Sequence, residues 1–153
     1  MLFYAVVPPP EVISEIESVQ DEAPVWWSKR KKPTKFHITL RHKPTKKVLG
    51  GDAAAEAAER FEPFDVYLDT FGIFPRFEGI PVFWVGPETP GPLYDLGRAL
   101  GAYKSFRPHL TLGYGSPIGT PPAIKPIRWR VDGFALLETT DGPEYRVVKE
   151  YQL

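Results

Sequence analysis

Two short phrases carry the reactive side chains of this chain: "KFHITLRH", Lys35 to His42, and "RPHLTLGY", Arg107 to Tyr114. The protein has only three histidines, and two of them stand in the same pattern, His-aliphatic-Thr-Leu. With ordinary residue usage a given histidine is followed by that pattern on the order of once in a thousand times. In a strand, residues i and i+2 point to one side, so His37 and Thr39 share a face while Ile38 and Leu40 take the other. His109 and Thr111 stand in the same relation to Leu110 and Leu112. Each strand thus offers an imidazole and a hydroxyl to one side and two aliphatics to a core. Two imidazoles around one small volume suit displacement at phosphorus. A neutral ring takes the proton of an attacking water, and a protonated ring gives one to the departing alkoxide. The threonine hydroxyls donate to phosphoryl oxygens, where charge gathers.

Other chemistries fit less well. The histidines lack helical i, i+4 metal spacing, and the chain has no cysteine, so no metal and no cofactor is expected. Disulfides and thiol nucleophiles are excluded on the same count, and no Ser-centred nucleophile elbow is present. Gly50-Gly51 precedes a helix without a following Lys-Ser/Thr and reads as a helix entry, not a phosphate loop. His42, five residues after His37, reads as a rim histidine.

The elements that must position these phrases repeat. "LFYAVVP" is rich in β-formers, and after Pro10 the residues Val12, Ile16 and Val19 recur at amphipathic-helix spacing. A loop, "APVWWSKRKKPTK", then leads to the His37 strand. In the second half "IPVFWVGPE" is a strand, and "GPLYDLGRALGAY" puts Leu93, Leu96, Leu100 and Tyr103 on one helical face before the His109 strand. Strand, helix, His-strand therefore occurs twice, which reads as an internal duplication. The runs "FDVYLDTFGIF", "IRWRVDGFALLET" and "YRVVKEYQL" add strands, and an Ala-rich helix after Gly50-Gly51, with Asp52 as its N-cap, links the first copy to the middle strand. About seven strands and about three helices predict an α+β fold. It is a bilobal, pseudo-two-fold sandwich of two largely antiparallel sheets, with helices outside and a central groove, forming a single domain over residues 1–153. If the halves pair, the two polar faces meet across the groove.

Composition sets the surroundings. There are 19 basic and 19 acidic residues, net charge zero, yet no acidic residue stands between Ala23 and Gly51, where nine Lys and Arg crowd around the first phrase. The run Lys29 to Lys35, with Trp26 and Trp27 before it, is expected to border the groove, the cations tracking RNA phosphates and an exposed ring stacking on a base. The opening residues lack a basic leader and no stretch approaches a membrane span, so a cytoplasmic monomer without membrane contact is expected.

On the strand "LFYAVVPP" and the phrases "FHITL" and "RPHLTLGY", the chain resembles the 2H phosphoesterase superfamily, named for two His-x-Thr/Ser motifs. Within it, the sequence is similar to the 2′-5′ RNA ligase-like proteins, or RNA 2′,3′-cyclic phosphodiesterases. The resemblance implies a bilobal α+β fold and His37, Thr39, His109 and Thr111 as catalytic residues, with His37 the acid and His109 the base. It implies metal-independent opening of a 2′,3′-cyclic phosphate, on an RNA end or a nucleotide, to a 2′-phosphate, and in some members joining of RNA ends through 2′-5′ linkages. Relatives often carry "FLG" after the first motif and an Arg two residues beyond the second; here stand Arg41-His42-Lys43 and Gly113-Tyr114. Arg41, Lys43 and Arg107 are then the candidate phosphate-side cations and Tyr114 a hydroxyl donor, with Lys35 and Trp27 from the basic stretch completing the substrate-binding set. The alternatives are a phosphodiesterase for another cyclic or 2′-5′-linked nucleotide, and a non-catalytic RNA-end binding module.

Overall fold

The computed structural model describes residues 1–51, 53–76, 78–89, 91–121 and 123–153. Strand β1 (Leu2–Val6) runs into helix α1 (Pro10–Glu22), which starts on Pro10, where a missing N–H costs nothing. Strand β2 (Val25–Arg30) and a 3₁₀ turn (Pro33–Lys35) follow, then β3 (Ile38–His42). Helices α2 (Lys46–Gly50) and α3 (Ala53–Arg60) lead to β4 (Phe64–Leu68) and β5 (Thr70–Phe74). Asp52, expected to cap α3, lies outside the described residues. The second copy is β6 (Val82–Gly86), α4 (Gly91–Ala99) and β7 (Leu110–Pro117), and the chain closes with β8 (Ile127–Val131), β9 (Gly133–Glu138) and β10 (Arg146–Gln152).

Eight of the strands form one antiparallel sheet in the order β10-β9-β1-β3-β7-β6-β5, with β2 pairing residues 113–117 of β7, and β4 and β8 pair separately. The two expected lobes are the halves of the large sheet, and they join at one residue pair, Ile38 opposite Leu110. Each of these residues immediately follows its histidine, so the pseudo-two-fold axis passes between the repeated phrases. The sheet sides are divided as alternation requires. Tyr4, Val6, Ile38, Leu40, Val85, Leu110 and Leu112 pack into one core with Val12 and Ile16 of α1, Leu93 and Leu96 of α4, and Val66 and Trp129 of the small sheet. Phe3, Ala5, Ala135 and Leu137 form a separate cluster with Tyr145 on the opposite side.

Three local expectations are corrected. Residues 25–30 are a strand rather than a loop, because Val25 is buried and the β-forming Val-Trp-Trp run finds an edge to pair with on β7. Gln20 secures that junction: buried on α1, its side-chain amide donates to Lys31 O at 2.9 Å and Leu112 O at 2.8 Å. "FDVYLDTFGIF" is two strands in different sheets, divided at Asp69, whose carboxylate accepts the Glu88 N–H at 2.8 Å. Helix α4 stops before Tyr103, because Gly101 turns to φ +96° and Ala102 N–H returns to Gly97 O at 2.9 Å. Leu100 stays buried while Tyr103 is 75% exposed.

Candidate active site

The Ile38–Leu110 pair fixes the geometry around the axis. Continuing its antiparallel register by one residue sets His37 across from Thr111 and Thr39 across from His109, all four on the face opposite the aliphatic core. The backbone contact of each ring repeats. His37 Nδ1 lies 2.8 Å from Lys35 O, and His109 Nδ1 lies 2.8 Å from Arg107 O. A carbonyl only accepts, so Nδ1 carries the proton in both neutral rings and Nε2 is left as the base. Thr39 Oγ1 stands 3.1 Å from His37 Nε2 and donates to it while that ring is neutral.

Both rings sit between aromatics. His37 meets Phe3 of β1 at 5.1 Å and Tyr145 edge-on at 5.2 Å; His109 meets Phe74 of β5 edge-on at 4.9 Å and Trp84 of β6 at 6.2 Å. The basic residue two positions before each histidine caps one of these rings: Lys35 Nζ is 5.1 Å over Tyr145, and the Arg107 guanidinium is 4.9 Å over Trp84. The pattern basic-x-His-aliphatic-Thr thus supplies, from one stretch of chain, the imidazole, the carbonyl that sets its tautomer, and a cation beside it.

The slots depress both imidazoles. Burial pushes His37 down to about 4; the bond to Lys35 O opposes this, while the charges of Lys31 and His109 add to it. Burial also lowers His109, against its bond to Arg107 O and with the Arg107 charge adding to the fall. Thr39 and His109 line the same cleft, so the two His/Thr couples open onto one space.

One cleft opens on the pair, and a second is reached through Lys35, two residues before His37. The first, of about 410 Å³, is lined by Thr39, Arg41, Lys43, Tyr103, Phe106 and His109, with exposed His42 at its rim. The other, about 440 Å³, is lined by Lys29, Lys31, Lys32, Lys35, Tyr114 and Asp141. Arg41, Lys43, Lys35 and Tyr114 therefore line the two clefts, and Arg107 lies over the His109 slot. Trp27 does not face the histidines, which corrects its expected place. It packs on Phe83 at 5.7 Å and against the aliphatic core, over the flat surface of Gly113; Trp26, its neighbour in strand alternation, is the ring 72% exposed. Sequence reasoning passed over Phe3, Phe74, Trp84 and Tyr145. Strand alternation carried a signal for the first three. Tyr145 carried none: it arrives through the β9–β10 connection, held where Thr34 Oγ1 donates to Pro143 O at 2.8 Å.

The chain is similar to known proteins both in sequence and in fold. An RNA 2′,3′-cyclic phosphodiesterase of Thermus thermophilus is 29% identical to this chain, covering 99% of it and 89% of the relative. The crystal structure of TT0787 of Thermus thermophilus superposes with a TM-score of 0.65 at 26% identity, covering 99% of this chain and 97% of that one. Escherichia coli LigT complexed with 3′-AMP has the same fold, with a TM-score of 0.72 at 24% identity and coverage of 99% and 97%. The sequence pattern of the 2′-5′ RNA ligase superfamily matches residues 8–143, both histidine phrases included, and the chain belongs to that superfamily.

Proposed function

We propose that this protein hydrolyses 2′,3′-cyclic phosphates at RNA ends or on nucleotides to 2′-phosphates, without a metal, using His37 and His109 as a proton-transferring pair. The observation that carries this reading is the Ile38–Leu110 pairing, which sets two His/Thr couples face to face about one axis. The name of the Thermus thermophilus relative, matched over nearly the whole chain, supports the reaction class.

The water oxygen attacks phosphorus while the neutral imidazole of His109 takes a water proton at Nε2. The P–O3′ bond breaks, and His37, protonated at Nε2, gives its proton to O3′, leaving the phosphate on O2′. Thr39 and Thr111 donate to the non-bridging oxygens, and the cations of Lys35 and Arg107 flank the developing charge. His37 is held neutral down to about pH 4 in the free protein, so its role as acid depends on the substrate. A phosphodiester anion between the rings favours the protonated imidazole and raises its pKa. One chain supplies every group, so the reading requires only a monomer, working in the cytoplasm.

Incubation with 2′,3′-cyclic AMP in EDTA, with the product identified by phosphorus NMR, tests the proposal. The expected product is adenosine 2′-phosphate at an unchanged rate. Formation of the 3′-phosphate, or activity lost to chelator and restored by a divalent ion, overturns it.

A further inference from the structure

Among the described residues Tyr103 is the most exposed large apolar side chain, 75% accessible, yet it lines the cleft that also contains Thr39 and His109. An exposed ring at the edge of a reactive cleft is a feature to explain, since apolar groups aimed into concave sites usually meet ligands. Its position is built in. The Gly101 turn at φ +96° carries the chain off α4, so that a residue in phase with the buried Leu93, Leu96 and Leu100 leaves the core and stands over the cleft.

Arg41 lies against one side of this ring, its guanidinium 5.6 Å from the centroid, and a Cβ built on Gly101 would come 3.7 Å from Arg41 Nε. Among the described residues no carboxylate pairs with Arg41 and no acceptor meets its buried Nε. A guanidinium held on an aromatic face, without a counter-charge, and two residues beyond Thr39 is arranged to serve an anionic ligand carrying a flat ring. The cleft that Lys35 lines has a different character, four lysines and Arg30 around Tyr114 with Asp141 the one acid, and suits phosphates.

We propose that Tyr103, backed by Arg41, is the platform on which the base of the nucleotide bearing the cyclic phosphate stacks. This inference rests on the hydrolase reading above. It assigns the ~410 Å³ cleft to the terminal nucleoside and leaves the lysine-lined cleft for the upstream chain. Stacking uses the π-face that all bases share, so the subsite accepts any base and favours the larger purine surface.

The test compares kcat/KM on 2′,3′-cyclic AMP with kcat/KM on methyl riboside 2,3-cyclic phosphate, which lacks a base. For Tyr103→Ala the preference for the base-bearing substrate should fall about 5- to 100-fold, through KM, and Tyr103→Phe should restore it. An unchanged preference in Tyr103→Ala, or equal losses on both substrates, overturns the subsite while leaving the hydrolase reading in place. If the wild-type protein turns over neither substrate, the hydrolase reading falls, and calorimetry decides the subsite. Adenosine 2′-phosphate bound more tightly than ribose 2-phosphate by the wild type, but not by Tyr103→Ala, upholds it, and equal binding in both proteins overturns it.

Discussion

At the scale of single residues, the two histidines are equivalent in sequence pattern and unequal in surroundings. His37→Ala and His109→Ala should each lower kcat on 2′,3′-cyclic AMP by about 10²–10⁴-fold, since each removes one proton-transfer agent. Thr39→Ala and Thr111→Ala remove one donor each and should cost less; steady-state kinetics on the four variants, with circular dichroism to verify the fold, makes the comparison. A second expectation follows from the depressed imidazoles. A histidine at 6.5 when unfolded and about 4 when folded contributes nothing against folding above pH 6.5, then destabilises as pH falls, because the unfolded chain takes up the proton first. Urea melts should therefore lose about 1.4 kcal/mol per pH unit from this group between pH 6.5 and 4, with His109 acting in the same direction. His37→Gln should flatten that slope. The same depression places the optimum of kcat/KM, which reports the free protein, below pH 6.5, and the optimum of kcat higher, because bound phosphate raises both rings. Coincident optima would show that substrate charge does not reach them.

At the scale of elements, the second histidine slot depends on a strand pair that matches a large residue with none. Gly72 of β5 stands opposite Trp84 of β6, and a Cβ on Gly72 would lie 2.1 Å from the Trp84 ring. The indole lies flat across the missing side chain and from there forms one wall of the slot around His109. Gly72→Ala should push Trp84 out of position, costing about 1–3 kcal/mol as overpacking. Thermal melts measure that loss, and kcat on 2′,3′-cyclic AMP should fall with it because the pushed ring carries Arg107 above it. A variant destabilised but fully active would show that the wall is packing alone.

Across the whole molecule, a net charge of zero hides one cationic region. All four cations of the run Lys29 to Lys32 line the open cleft, but Arg30 is committed to Asp21 and Gln20 of α1, whereas no carboxylate pairs with Lys29, Lys31 or Lys32 among the described residues. Burial, with Lys35 and Lys29 close by, lowers the Lys31 ammonium, which marks the crowding of charge there. Replacing Lys29, Lys31 and Lys32 by Gln should raise KM for an oligoribonucleotide ending in a cyclic phosphate and reduce the slope of log(kcat/KM) against log[salt] by up to about 2. The mononucleotide, with no further phosphates, should keep its kcat. Equal effects on both substrates would place the lysines at the reacting phosphate itself.

The sequence alone determined what depends on neighbours within a few positions. The i, i+2 alternation put each histidine with its threonine on one side of a strand, and the spacing of Val12, Ile16, Leu93 and Leu96 marked the faces of two helices. Duplication of the phrase implied that the halves meet. Tertiary structure decided everything that depends on which distant strand lies alongside. The register Ile38–Leu110 brings each histidine across from the other's threonine, and one residue of slip would have turned one couple into the core. The aromatic walls come from β1, β5, β6 and the β9–β10 connection, strands whose composition fits burial on either face. Trp27 entered the core and Trp26 stayed outside because β2 found the edge of β7 in that register. Tyr103 kept helical spacing with buried leucines and still left the core, because a backbone turn at Gly101 outweighs side-chain periodicity.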